Sequence, residues 1–323
     1  MIILKKKSIY LTLLFAVMMT LTACSNNDSE APLAEETTST SEVNLPIVDR
    51  AGNSIEVPEK IETIVSLAPS ITQILEDLGV KNQIVAIDTQ SPPLVDGLDE
   101  LPQLDMMNPN IEMLLALNPD IIFASGISFG LNENIFDLLI DNGITVVHIP
   151  TSSSIDEIKE DIQFIADCLQ LTEKGTVLNQ ELQETIEKIA AIGDTITERK
   201  TVLFEISPLP DIFSFGNGVF LHEMIEIIGA ENVLGAHENW LPVTEESAVD
   251  SDPDVILTNV NFIEDPVAEI LGRNGWSEMT AIQNKNVFYI DNGYSSLPNH
   301  RIVEALKEMA LAIYPEEFAN IFE

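Results

Sequence analysis

Arginine is nearly absent from this chain. Arg50, Arg199, Arg273 and Arg301 are the only ones in 323 residues, and Lys and Arg together number 15 against 53 Asp and Glu. The formal charge of −38 at pH 7 repels nucleic acid and anionic lipid, so neither is expected as a partner of the folded surface. The same shortage weighs against a strongly anionic ligand unless local basic residues offset the field. Cysteine is scarcer still: Cys24 and Cys168 are the only two. Cys168, within the apolar pattern of Ile162, Ile165 and Leu169, reads as a small core residue. No apolar run after Ala23 is long enough to span a bilayer, which takes about 20 residues. The four histidines, His148, His222, His237 and His300, are scattered without HxxxH or HExxH spacing, which weighs against a bare zinc or manganese receptor. There is no Gly-x-Ser-x-Gly elbow, no P-loop and no Cys/His pairing by motif, so no enzyme and no catalytic residue is expected.

What is present begins with an address. Lys5, Lys6 and Lys7 precede an apolar stretch from Ile9 to Leu21, then small residues and Cys24, which is the layout of a signal peptide over residues 1–23. Leu21-Thr22-Ala23-Cys24 resembles a bacterial lipobox, which implies cleavage before Cys24 and lipidation of it. With Cys24 lipidated, no internal disulfide can form. Residues 24–44, rich in Ser, Thr, Glu and Asn and free of aromatics, cannot bury enough surface to offset their ordering entropy and read as a flexible tether. The expected location is the outer face of the cell membrane, held by the lipid anchor.

The remainder divides around one amphipathic run, residues 172–199. Val177, Leu178, Leu182, Ile186, Ile189 and Ile196 form a stripe at helical spacing with Glu181, Glu184, Glu187 and Lys188 between them. A helix of that length spans roughly 40 Å, enough to join two lobes. Before it, residues 45–171 alternate strand and helix signals: strands at Ile64–Leu67, Ile84–Ile87, Ile121–Ala124 and Ile144–Ile149, and helices at Ile71–Leu78 with Ser70 as N-cap, Asn110–Leu117 and about Glu133–Asn142. After it, residues 200–323 do the same, with strands at Val202–Ile206, Val255–Thr258 and Val287–Ile290 and a last helix from about Asn299 to Tyr314. Gly216-Asn217-Gly218 lacks the third glycine of a dinucleotide fingerprint and reads as a turn. Alternation of this kind predicts an α/β protein with two parallel-rich sheets joined by a long helix, with ligands in the loops beyond the carboxyl ends of the strands.

The two lobes repeat a pattern. Glu112 stands seven residues before Pro119-Asp120 and a strand, and Glu246 stands seven before Pro253-Asp254 and a strand. Each glutamate falls near a helix start, where a carboxylate suits the dipole. With Val65-Ser66-Leu67-Ala68-Pro69-Ser70, Asn110-Ile111-Glu112 through Pro119-Asp120, the long helix and Pro298 through Pro315, the chain after Leu45 resembles the substrate-binding lipoproteins of ABC importers for cobalamin, ferric siderophores and haem. One departure is Asn299-His300-Arg301, where Gly or Ser, Pro and Arg are more usual.

The resemblance implies two α/β lobes on a rigid helix, a monomer that binds a small metal chelate between them, no intrinsic cofactor, and delivery to a permease dimer with its ATPase. It implies docking on permease arginines through Glu112 and Glu246, with Glu245 as a substitute for the latter. It places the ligand in the interlobe cleft, where the candidates are Ser66, Pro69, Met106, Met107, Phe129, Phe213, Phe215, Trp240, Asn259, Asn261, Tyr294, Asn299 and His300. Aromatic and apolar walls with a few polar groups suit a large hydrophobic chelate. The shortage of arginine favours a hydroxamate siderophore or a corrinoid. Haem stays open, with Tyr294, His300 or a methionine as axial ligand.

Overall fold

The computed structural model describes residues 45–321. The expected signal peptide, Cys24 and the expected tether lie outside the described residues, and so do the last two residues of the chain.

Chain entry is a small hairpin. Val48 bridges Ser54, and Asp49 folds the turn by accepting from the amides of Ala51 (3.0 Å) and Asn53 (2.8 Å). Then come β1 (Ile64–Leu67), α1 (Pro69–Asp77), β2 (Ile84–Asp88), β3 (Gln103–Leu104), α2 (Ile111–Leu117), β4 (Ile121–Ser125), α3 (Gly126–Asp141), β5 (Thr145–Ile149), α4 (Ile155–Cys168) and the long α5 (Thr172–Gly193). Beyond α5 follow β6 (Thr201–Glu205), β7 (Phe213–Phe215), α6 (Phe220–Ile227), β8 (Glu231–Asn232), β9 (Trp240–Pro242), α7 (Glu245–Ser251), β10 (Val255–Thr258), α8 (Pro266–Leu271), α9 (Thr280–Gln283), β11 (Val287–Tyr289), α10 (Asn292–Ser295) and α11 (Ile302–Ile313).

Two parallel sheets result, ordered β3-β2-β1-β4-β5 and β11-β10-β6-β8, with β7 and β9 as a separate antiparallel ribbon. The strands are runs of β-branched and apolar residues because both faces of a parallel sheet are covered. Alternation still assigns the faces. Val65, Leu67, Ile122 and Ala124 pack outward in one cluster, and Leu203 and Ile256 in another. Ile64, Ile121, Phe123, Val202, Phe204, Val255 and Leu257 face a shared inner core that also holds α4, α5 and α11 residues. The fold is thus α/β, two parallel-sheet lobes joined by one long helix.

The joining helix buries Gly175, Leu182, Ile186, Ile189 and Gly193 along one stripe and packs against α4, α6 and α11. It stops at Gly193, not near Arg199. At that point the backbone of α5 touches the end of α6 in the second lobe: a Cβ on Gly193 would lie 2.2 Å from the Ile227 carbonyl oxygen, so only glycine fits there. Two other expectations need correction. Ser70 is not the N-cap of α1; Ala68 is, because Pro69, whose fixed φ suits the first helical position, takes N1. And α3 starts at Gly126, well before Glu133, with the Ser125 hydroxyl accepting from the Ser128 amide; Gly126 and Gly130 mask its first turns in the sequence. Gly218, at φ 77°, makes the expected turn. Cys168 is buried, and burial pushes its thiol up to about 12.

Candidate functional site

Loops at the carboxyl ends of strands from both sheets enclose a cavity of about 520 Å³, a size ordinary for small-molecule sites. Strand order reverses between β1 and β4 in the first sheet, and such a switch point opens a crevice. Ala68, Pro69 and Ser70 after β1 and Ser125 and Ile127 at the end of β4 line the cavity there. The opposite wall comes from Asn261 after β10 and from Tyr289, Asp291, Asn292 and Leu297 at and after β11. Ile71, Ile74, Leu94, Met106, Ile149 and Ile165 make the lining largely apolar.

Its polar groups are fixed from behind. A buried chain runs from Ser66 through Thr72 (2.8 Å) and Ser91 (2.9 Å) to the Asp88 carboxylate, and Asp88 also accepts from the Gln90 amide (2.7 Å). Burial pushes the Asp88 carboxyl up against those bonds. Asp161 lines the cavity and accepts from Ser152 and, at 2.6 Å, from Arg50 Nε of the entry hairpin. Burial raises this carboxyl too, against the pull of Ser152 and Arg50. On the other wall Asp291 caps α10, accepting from the Tyr294 amide at 3.2 Å. The Asn259 amide group holds the Ser295 and Ser296 hydroxyls at 3.0 and 3.1 Å.

Behind the cavity the lobes are joined by polar contacts. Asn299 Nδ2 donates to Gln73 Oε1 at 2.6 Å, His300 Nε2 meets Asp77 Oδ2 at 2.6 Å, and Arg301 bonds Glu76 (2.8 Å) and Asp77 (2.8 Å). All three partners lie on α1, whose first half walls the cavity.

Of the residues singled out by sequence, the cavity gathers Pro69, Met106 and Asn261. Ser66, Asn259 and Asn299 lie beneath its walls, buried and hydrogen-bonded as described. Met107 is exposed beside Met106 and is not in the lining. The others lie elsewhere. Phe129 stacks on His148 (4.1 Å between centroids) and Phe136 (4.5 Å) and faces a different cavity. Phe215 is core, packed on Phe204, and Trp240 meets it edge-on across the β7–β9 ribbon; Phe213 pairs with Pro242 in that ribbon. The antiparallel ribbon, which no periodicity announced, carries these aromatics outside the cavity lining. Tyr294 packs on the core, and His300 lies behind the cleft beside α5. Tyr289, Asp291 and Asn292 were missed, although the strand at Val287–Ile290 was expected and the rule that ligands sit beyond strand ends points to them.

Glu112 and Glu246 occupy matching positions. Each is exposed in the first turn of a seven-residue helix whose N-cap side chain, Asn110 or Thr244, accepts from the N3 amide, and whose C-cap, Asn118 or Asp252, is left-handed. Glu245 is exposed beside Glu246. Among the described residues, no three His, Cys, Asp or Glu side chains gather to hold a metal ion, and no helix is long and apolar enough to cross a membrane.

Comparison with known proteins places this architecture. An ABC transporter substrate-binding lipoprotein of Bacillus subtilis, YvrC, is 29% identical over 319 residues, covering 97% of this chain and 99% of that one. A cobalamin-binding protein of Halobacterium salinarum is 24% identical over 310 residues, covering 93% and 82%. In structure, the molybdate periplasmic binding protein MolA of Haemophilus influenzae, solved with molybdate, superposes with a TM-score of 0.73 at 23% identity, covering 85% of this chain and 92% of that one; at that identity it shows the fold alone. The resemblance to substrate-binding proteins of ABC importers, read from the sequence, therefore stands. The periplasmic binding protein family model matches residues 64–294, which take in both parallel sheets and most of the cavity lining, and the chain belongs to that family.

Proposed function

We propose that this chain is an extracytoplasmic solute-binding lipoprotein. Anchored through Cys24, it captures a metal chelate of the iron-siderophore or corrinoid class between its lobes and delivers it to the permease of an ABC importer. The observation that carries this reading is the cavity of about 520 Å³ between the two sheets, walled by Ile71, Ile74, Leu94, Met106, Ile127 and Leu297. Walls of this kind suit a bulky chelate with an apolar exterior better than a small hydrated ion. The cobalamin-binding relative supports the same reading. The twin helices carrying Glu112 and Glu246 support a docking role, since exposed carboxylates on both lobes suit charge-assisted bonds to arginines. Haem is the second reading, favoured by Tyr289 and Met106, two side chains in the cavity lining able to ligate iron axially.

The test is calorimetric titration of the soluble chain with cyanocobalamin, a ferric hydroxamate siderophore and haem. Saturable one-to-one binding of one of them is the expected result, and a new Soret band with haem separates the second reading from the first. No heat with any of the three counts against a chelate.

A further inference from the structure

We infer that the cleft accepts only chelates without net negative charge, and that Asp291 is the residue that selects them. The inference deepens the solute-binding reading above and rests on it. Its ground is which charges reach the cavity and which are already spent. Among the lining residues there is no Lys, Arg or His, and there are two carboxylates, Asp161 and Asp291. The chain has too few arginines to supply a counter-charge from nearby. Arg50 is bound to Asp161 and Glu160, Arg273 to Glu205 and Glu269, and Arg301 to Glu76 and Asp77. Arg199 is exposed and outside the lining.

The two carboxylates are not equivalent. Asp161 has Arg50 Nε at 2.6 Å and the Ser152 hydroxyl on its other oxygen, so its charge is answered within the protein. Asp291 has no ion pair among the described residues. One of its oxygens accepts from the Tyr294 amide, and its own amide donates to Glu308 Oε2 at 2.8 Å. A second carboxylate therefore stands behind the first, and burial together with the charge of Asp291 pushes the Glu308 carboxyl up. The second-lobe wall of the cavity thus carries uncompensated negative charge, on the surface of a protein whose overall charge is −38.

An anionic chelate entering between the walls would lose hydration and meet a carboxylate without a cation to answer it, a double cost. A chelate carrying an ammonium or N–H group would lose its hydration to a charged acceptor already in place. The α1 N-terminus, which has no side-chain cap and adjoins the cavity, adds a partial positive charge at the opposite wall. That suits a carbonyl oxygen of an uncharged ligand without replacing a full cation.

The experiment is a calorimetric panel on the soluble chain: cyanocobalamin, which is uncharged overall; ferrioxamine B, a ferric hydroxamate with a free ammonium; and haem and ferric citrate, which are anionic. Cyanocobalamin or ferrioxamine B should bind most tightly. Asp291→Lys should move the affinity ratio towards the anionic probes by at least about tenfold, the scale of one charged hydrogen bond. Asp291→Asn, which keeps an oxygen for the helix cap, should move it the same way by less, and it decides the matter if the lysine variant fails to fold by circular dichroism. Tightest wild-type binding of haem or ferric citrate overturns the charge rule and leaves the solute-binding reading intact. An unchanged order of affinities in the folded variant overturns the role of Asp291. Failure of all four probes to bind overturns the chelate reading itself and this inference with it.

Discussion

Asp120 holds Thr63 by a reciprocal clasp across 57 residues of sequence: its Oδ2 accepts from the Thr63 amide and hydroxyl, both at 2.9 Å, and its own amide donates to the Thr63 hydroxyl at 3.0 Å. The second lobe repeats it. Asp254 accepts from the Thr201 amide (2.8 Å) and hydroxyl (3.0 Å) and donates to that hydroxyl at 3.0 Å. Each clasp sits where a seven-residue helix hands over to a strand, and it fixes β4 beside β1 and β10 beside β6. Asp120→Ala should lower stability by about 2 kcal/mol, the loss of several hydrogen bonds to one carboxylate. The amides of Glu62 and Thr63 hold the Asp120 carboxyl below its ordinary value. Its contribution is therefore complete above the ordinary carboxylate range and is lost as pH falls through the lowered value. Urea midpoints of the wild type and the alanine variant should differ at pH 7 and converge in strong acid.

The clasp also explains what the sequence showed and what it hid. Pro-Asp before a β-branched run announced both strands, and the spacing to Glu112 and Glu246 exposed the repeat. Thr63 and Thr201, the other halves of each clasp, carry no local signature because their partner lies more than fifty residues away. The cavity was half legible for the same reason. Pro69 and Met106 follow strands of the first sheet, but Tyr289 and Asp291 need β11 to be placed beside β10, which no local pattern states. Phe213, Phe215 and Trp240 read as cleft aromatics because aromatic walls suit a large chelate; ribbon pairing and core packing put them elsewhere. Gly193 read as one more residue of the long helix because close approach of a second backbone leaves no trace in periodicity.

Matching helices on the two lobes lead to a transport prediction. Reversing both Glu112 and Glu246 to Arg should abolish ATP-driven uptake through the cognate permease, while calorimetric affinity for the chelate stays within about threefold of wild type, since neither residue lines the cavity. Residual uptake that disappears when Glu245 is also reversed assigns the substitute role to Glu245. Loss of chelate affinity in the double variant removes these glutamates from docking.

In the second lobe Arg273 bridges Glu205 at 2.6 and 2.8 Å, bonds Glu269 at 3.0 Å, and stacks 4.5 Å from the Trp276 ring centroid. Glu205 is fully buried at the end of β6, and burial already pushes its carboxyl up. Arg273→Met should cost about 3–5 kcal/mol, because it strands a buried carboxylate. Adding Glu205→Gln should restore part of the loss, as the residual group is then uncharged. Thermal unfolding of the two single variants and the double variant measures the coupling, and strictly additive losses would show that the buried charge is not the cause.

Gln73 joins the two lobes beside the cavity. Its Oε1 accepts from Asn299 Nδ2 at 2.6 Å, and both residues are buried. Gln73 lies on α1 between the cavity residues Ile71 and Ile74, and Asn299 directly follows Pro298 of the opposite wall. One hydrogen bond thus ties the two walls at their base. Gln73→Ala leaves the buried Asn299 amide without its acceptor, a cost of about 1–3 kcal/mol. Loosening the walls should also speed ligand release, so chelate dissociation in stopped-flow should accelerate while association changes little. Gln73→Glu keeps an acceptor for Asn299 and should restore slow release, although it adds a buried charge that lowers thermal stability. If dissociation follows stability across the two variants, with the glutamate as fast as the alanine, the bond serves folding only and does not set the grip of the cleft.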